Sequence, residues 1–330
     1  MRQWLFALAV SCVVGTAGVA ADPWLTFEGG EGPGKGKHVV LISGDEEYRS
    51  EEALPMLAKI LSARHGFKCT VLFAIDPADG TVAPNVTNNI PGLEALKTAD
   101  LMVVFLRYRT LPDEQFRFVA DYLDAGKPVV GLRTATHAFK PGTKGQYAKY
   151  NSNGFGKQVL GETWVNHHGQ HGKEGTRGQF TEAGKAHPIL RGVAPGSLFG
   201  PSDVYTINLP LAPSAVPLVM GEVTATLKPD SAAVGGKKND PMMPVAWTKT
   251  YGDHGKLGRV FTTTMGASQD CEFEGTRRMV VNACFWAAGL EEKIPAATDV
   301  TFVGDYKPTP FKFRKDAEWK PGKLPAEYGK

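Results

Sequence analysis

The chain has 330 residues, a formal net charge of +3, 42% hydrophobic and 22% charged residues, ample length for a buried core in one large domain or two. A charge this small gives no electrostatic footprint for nucleic acid. The 4 cysteines show no metal-type spacing and are too few for a disulfide scaffold.

Arg2 precedes an apolar run over residues 4–14, and small residues follow at Ala17, Gly18, Ala20 and Ala21. That is the layout of a secretory signal peptide over residues 1–21, cut after Ala20 or Ala21, which predicts a periplasmic or secreted protein. No later segment approaches the roughly 18 to 20 apolar residues that span a bilayer, so no membrane span is expected. With Cys12 removed in the leader, Cys69, Cys271 and Cys284 remain; Cys69 lies in a strand-like run and Cys284 in an apolar helix, as buried thiols do.

Residues 22–37 read as a flexible leader. Their glycines come before the first strand, whereas a phosphate loop follows a strand and opens a helix. From His38 the pattern alternates. Residues 39–42 form a short buried-type strand, 51–63 a helix with Ser50 as its cap, and 68–73 a strand. Residues 101–106 form the next strand, 112–123 a helix with Pro112 in its first turn, and 128–132 a strand. This βαβαβ start predicts an α/β fold with a doubly wound, mostly parallel sheet, helices on both faces, and a site beyond the carboxyl ends of the strands.

Residues 223–241 read as a mobile insertion or long hairpin. Regular structure returns at 244–248, at 258–264 and in a helix over 274–288. The domain therefore covers 38–294, and 295–330 form an extended tail that either packs over it or stays loose.

The chemistry concentrates at strand ends. Gly131-Leu132-Arg133-Thr134-Ala135 sits where sheets of this type carry a nucleophile elbow, but its centre is Arg133, a permanent cation that cannot attack a carbonyl. His137 follows at once. The first strand runs into a charged loop in which Glu46, Glu47, Tyr48 and Arg49 can act as acid, base or sugar-hydroxyl partners, while Glu51 and Glu52 suit the helix dipole. Arg107 adds positive charge to the same rim.

A second cluster, Trp164-Val165-Asn166-His167-His168-Gly169-Gln170-His171, holds three histidines, so that with His137 four of the chain's 8 histidines lie in these two segments. Three uses stay open for it: a divalent transition metal on His167 and His171, proton transfer by His168 or a neighbour, or mutual satisfaction on a glycine-rich loop. Gly169 breaks the helical geometry of a zincin-type pair, and no Glu lies between the two histidines. Trp164 and Tyr205 offer aromatic faces to a sugar.

Taken in order, the Ser43-Gly44 loop, Gly131-Leu132, His187-Pro188, Asp203-Val204-Tyr205, Pro244-Val245-Ala246-Trp247 and Gly258-Arg259-Val260-Phe261 resemble the ThuA-like (trehalose utilisation) family. The resemblance implies a three-layer fold like that of class I glutamine amidotransferases and flavodoxin-like proteins. It also implies a small carbohydrate partner, with oxidised 3-keto disaccharides among the candidates. Relatives commonly carry a histidine where this chain has Arg133, and a Gly-His where it has Gly266-Ala267. His137, His167, His168 and His171 are then the candidates to take those places.

The resulting expectation is an enzyme that cleaves or isomerises a keto-sugar glycoside. A histidine or Glu47 would act as base, with Arg133 or a metal stabilising the enolate. A non-catalytic sugar-binding protein is the alternative.

Overall fold

The computed structural model describes residues 22–140, 145–151, 154–252 and 257–330; the expected signal peptide lies outside the described residues. In chain order the strands are β1 (Trp24–Phe27), β2 (His38–Gly44), β3 (Lys68–Phe73), β4 (Leu101–Leu106), β5 (Val129–Leu132), β6 (Trp164–His167), β7 (Gly175–Phe180), β8 (Phe199–Gly200), β9 (Tyr205–Ile207), β10 (Val216–Thr224), β11 (Met243–Tyr251) and β12 (Gly258–Thr263). The helices are α1 (Ser50–His65), α2 (Asp113–Asp124), α3 (Glu182–Ala186), α4 (Glu274–Ala287) and α5 (Pro325–Tyr328).

Ten strands form one sheet in the order β1-β3-β2-β4-β5-β12-β11-β10-β7-β8. The centre, β3-β2-β4-β5-β12, is parallel. Alternate residues of β2 explain why it reads as a continuous apolar run: Val39 and Leu41 pack on the face that carries α1 and α4, Val40 and Ile42 on the face that carries α2. Both faces are covered, as a parallel strand requires. β6 and β9 form a separate antiparallel pair over Trp247.

The sheet extends beyond its parallel centre through antiparallel β11, β10, β7 and β8, and residues 223–241 fall largely in the connection of the β10–β11 hairpin, the second of the two readings of that stretch. Two expectations need correction. The leader is not wholly irregular, because Trp24–Phe27 pair antiparallel with β3, with Leu25 and Phe27 turned to one core and Trp24 to the other. Finally, α1 is entered through Arg49 in the left-handed region (φ 63°) with no side-chain cap. Ser50 Oγ instead accepts from the Asp45 amide (3.0 Å) and pairs with Ser43 Oγ (2.8 Å).

The three cysteines are free and buried. Among the described residues no helix is long and apolar enough to cross a membrane. The C-terminal tail packs along the domain and includes the short turn Asp316–Trp319 as well as α5.

Candidate active site at the strand ends

At the end of β2, Gly44 leaves room for its neighbours: a Cβ there would meet Leu106 Cδ2 at 2.8 Å. The chain then turns on Asp45, whose Oδ1 accepts from the amides of Glu47 (2.7 Å) and Tyr48 (2.5 Å), while its Oδ2 accepts from Thr134 Oγ1 (2.5 Å). Burial and the charge of Glu46 raise the Asp45 carboxyl to about 6. This turn presents Glu47 and Tyr48 toward the elbow after β5.

That elbow has the geometry its sequence suggested, with a different occupant. Gly131 and Ala135 supply the close approach, a Cβ on Gly131 falling 3.2 Å from that of Ala135, and Arg133 is held at φ 44°. The Arg133 side chain is almost fully buried and turns inward. Nη1 donates to the carbonyls of Asp203 and Thr264 (both 2.7 Å); Nη2 donates to Tyr48 Oη and Asp203 Oδ1 (both 3.0 Å). Its charge is committed to organising the site, not to an incoming enolate.

Asp203 is the residue that the site-residue reading missed. His167 pairs with Tyr205 across β6 and β9, which sets Asp203 beside the histidine loop. Gly169 lets that loop pass close, since a Cβ there would lie 3.2 Å from Asp203 Cβ, and the amides of His168 and Gly169 both donate to Val204 O (3.0 and 2.8 Å). His167 Nδ1 then lies 2.7 Å from Asp203 Oδ2, and His171 Nδ1 lies 3.1 Å from Oδ1. On its other edge, His171 Nε2 is 3.2 Å from Glu47 Oε1.

Burial works against an ionised Asp203, but the bonds from His167 and His171 and the Arg133 charge outweigh it and hold the carboxyl well below the usual range. The bonds to Asp203 and Glu47 raise His171 to about 9. His137 shifts the other way: burial first, then the charges of Arg107 and Arg133, drive it well below its ordinary value and keep it neutral.

Glu47, Tyr48, Arg107, Arg133, His137, Trp164, His167 and Tyr205 line one cavity. Within it, Tyr205 is buried and donates to Arg133 O (2.7 Å), a fixing contact for the elbow. Glu46 is clamped between Arg107 and Arg109, the latter through a 2.6 Å bond. Two sequence candidates lie elsewhere. Arg49 turns under the C-terminal tail, against Glu51, Glu52 and the Trp319 ring, and His168 Nε2 bonds to Lys238 O (2.9 Å).

His167, His171 and Asp203 each offer a ligand atom within 4.8 Å of the others. Two imidazoles and one carboxylate, with the histidines partly exposed, suit a divalent transition metal that keeps open positions.

An α/β protein with its polar cluster at the carboxyl ends of parallel strands, built on a nucleophile-type elbow that holds no nucleophile, is the class these features define. The profile of the ThuA family, described as trehalose utilisation, matches residues 38–287, and the chain belongs to that family. No curated protein sequence matches it. Among solved structures it is similar to a ThuA-like protein from Parabacteroides merdae, at 15% identity and a TM-score of 0.47, over 86% of this chain and 99% of that one. A ThuA-like protein from Bacteroides uniformis is 14% identical with a TM-score of 0.49, over 78% of this chain and 94% of that one.

Proposed function

We propose that this protein is an exported enzyme that cleaves or isomerises a carbonyl-bearing glycoside, of which a 3-keto-glycoside is the type. The observation that carries the reading is the convergence of Glu47, His171, Asp203 and His167 in one connected hydrogen-bonded group beside a cavity. The family description supports a disaccharide-related substrate. The apolar run and small residues at the N-terminus support export, and the order of the parallel strands supports the narrower flavodoxin-like assignment of the sheet.

A carbonyl acidifies the neighbouring C–H. The Glu47 carboxylate takes that proton, and the C–H electron pair passes into an enolate. Collapse of the enolate forms a C=C bond and breaks the bond to the glycosidic oxygen, which leaves with a proton from His171. Asp203 holds the His171 ring in place and favours its charged form, and Arg133 holds Asp203. A divalent metal held by His167, Asp203 and a neutral His171 would instead supply Lewis-acid polarisation of the carbonyl, in place of the proton from His171.

The test is to supply a methyl 3-keto-glucoside in D2O and follow, by NMR, methanol release and exchange of the proton next to the carbonyl. Glu47→Gln is expected to abolish both, a loss of at least about 100-fold. Elemental analysis of wild type and a His167→Ala, His171→Ala variant reads the metal directly. Saturable binding of the sugar with neither exchange nor release would replace the enzyme by a sugar-binding protein.

A further inference from the structure

The C-terminal segment, beyond the residues that the family profile matches, closes one side of this site. Lys312 N donates to Glu47 O (3.1 Å), directly behind the proposed base. Phe311 packs on Tyr48 and His171, at ring distances of 5.1 and 5.4 Å. Phe313 has the Arg107 guanidinium over its ring at 4.8 Å, and the same guanidinium lies 4.9 Å from the centre of the Tyr108 ring. The Lys312 side chain points away, to Glu318 (2.9 Å). The two phenylalanines therefore flank the strand-end loop from one short segment.

Their exposure separates their roles. Phe311 is partly buried and packed into the core. Phe313 is 55% exposed and is the only aromatic among the exposed large hydrophobic residues of the described chain. An aromatic ring left open to solvent is ordinary when isolated. Here it stands at the outer end of a row of planar groups, Phe313, Arg107, Tyr108, His137 and Trp164, each within 5.4 Å of the next, of which the last four line the cavity.

We propose that Phe313, with Arg107 and Tyr108, forms a stacking subsite for the second ring of the glycoside, the part that leaves. It rests on the reading of the site as one for carbonyl-bearing glycosides and adds a preference: a ring-shaped leaving group, sugar or aryl, over a small alkyl one. The exposed Phe313 ring presents a negative π surface on which the C–H edges of a ring settle, while the Arg107 guanidinium, which contacts both the Phe313 and Tyr108 rings, has its charge answered by Glu46 and Glu47.

Calorimetric titration of the full chain and of Phe313→Ala with the phenyl and methyl 3-keto-glucosides tests it, using Glu47→Gln as the background so that turnover does not interfere. Phe313 is exposed, so the substitution leaves the core intact. Phe313→Ala should weaken the phenyl glycoside about three- to tenfold and the methyl glycoside less than twofold, with Phe313→Trp restoring the difference. Equal weakening of both ligands, or of neither, overturns the subsite while leaving the site reading standing. Binding of neither ligand by the parent chain overturns both.

Discussion

Both oxygens of Asp203 are engaged, Oδ2 by His167 and Oδ1 by His171 and Arg133, so one side chain fixes two histidines and neutralises a buried cation. Removing it leaves the Arg133 charge without its counter-ion in a dry environment, which typically costs about 3–5 kcal/mol. Asp203→Ala is therefore expected to lower unfolding stability by about that amount in urea titrations, and adding Arg133→Met should recover much of it, because the orphaned charge goes too. An Asp203→Ala protein as stable as wild type would mean that Arg133 finds its compensation in Tyr48 Oη, the carbonyls of Thr264 and residue 203, and the nearby Asp270 charge. The histidines were legible in the sequence from their density. Asp203 was legible only as part of the Asp203-Val204-Tyr205 pattern, because its partners lie 32 and 36 residues back, and nothing local announces an antiparallel β6–β9 pairing. Arg133 was legible as the occupant of an elbow. Its inward turn was not, since that depends on Asp203 and Tyr48 arriving from two other segments.

At the level of the element, the entrance to α1 shows what a capping rule leaves out. Ser50 has the residue type of a cap, but its hydroxyl is taken by the Asp45 amide, and Arg49 and Glu51 are drawn into the interior under the tail instead. Burial pushes the Glu51 carboxyl up to about 7 despite the Arg49 charge beside it. Around it stand Arg49 and Glu52 from the same element, and Lys323 and Tyr328 from the tail across a cavity of about 220 Å³. An acid whose native pKa lies above its unfolded value binds more protons when folded, so its contribution falls as pH rises between the two. Stability should then decline from about pH 4.5 to about pH 7 by roughly 3 kcal/mol from this group. Glu51→Gln removes the titration. Its melting temperature across that window should decline less steeply than that of wild type, the share of the buried Asp45 carboxyl remaining, whatever constant offset the lost Arg49 partner adds, and parallel curves for the two proteins would refute the assignment. The central strands were readable because burial on both faces makes them unbroken apolar runs. β1 was not, because four residues beside a glycine-rich stretch carry too short an alternation.

Across the whole molecule, two apolar cores on opposite faces of the parallel centre carry the fold, and the antiparallel extension and the C-terminal segment are added at its margins. The extension escaped the sequence reading because β10 pairs with β7, some forty residues earlier, and strand pairing over such a separation leaves no local pattern. The C-terminal segment is held differently from the sheet. Its ties near the site are the Thr309 amide and hydroxyl to Glu52 (both 2.8 Å), the Phe311 amide to Gln269 (3.3 Å), the Lys312 amide to Glu47 O (3.1 Å) and the Tyr306 hydroxyl to Ser268 O (2.7 Å), followed by an ion-pair group of Lys320 with Asp76 and Asp79. Exposed ion pairs add little, and scattered single bonds do not match a strand bonded on both sides. This segment should therefore open without the sheet, as a unit of lower stability. In hydrogen exchange, the amides of Thr309, Phe311 and Lys312 are expected to exchange at least about tenfold faster than those of β2 and β4 under the same conditions. A ring-bearing glycoside that stacks on Phe313 should slow those three amides while leaving the central strands unchanged. Exchange of the segment at the rate of the central strands would make it part of the cooperative core, and its wall of the site a fixed one.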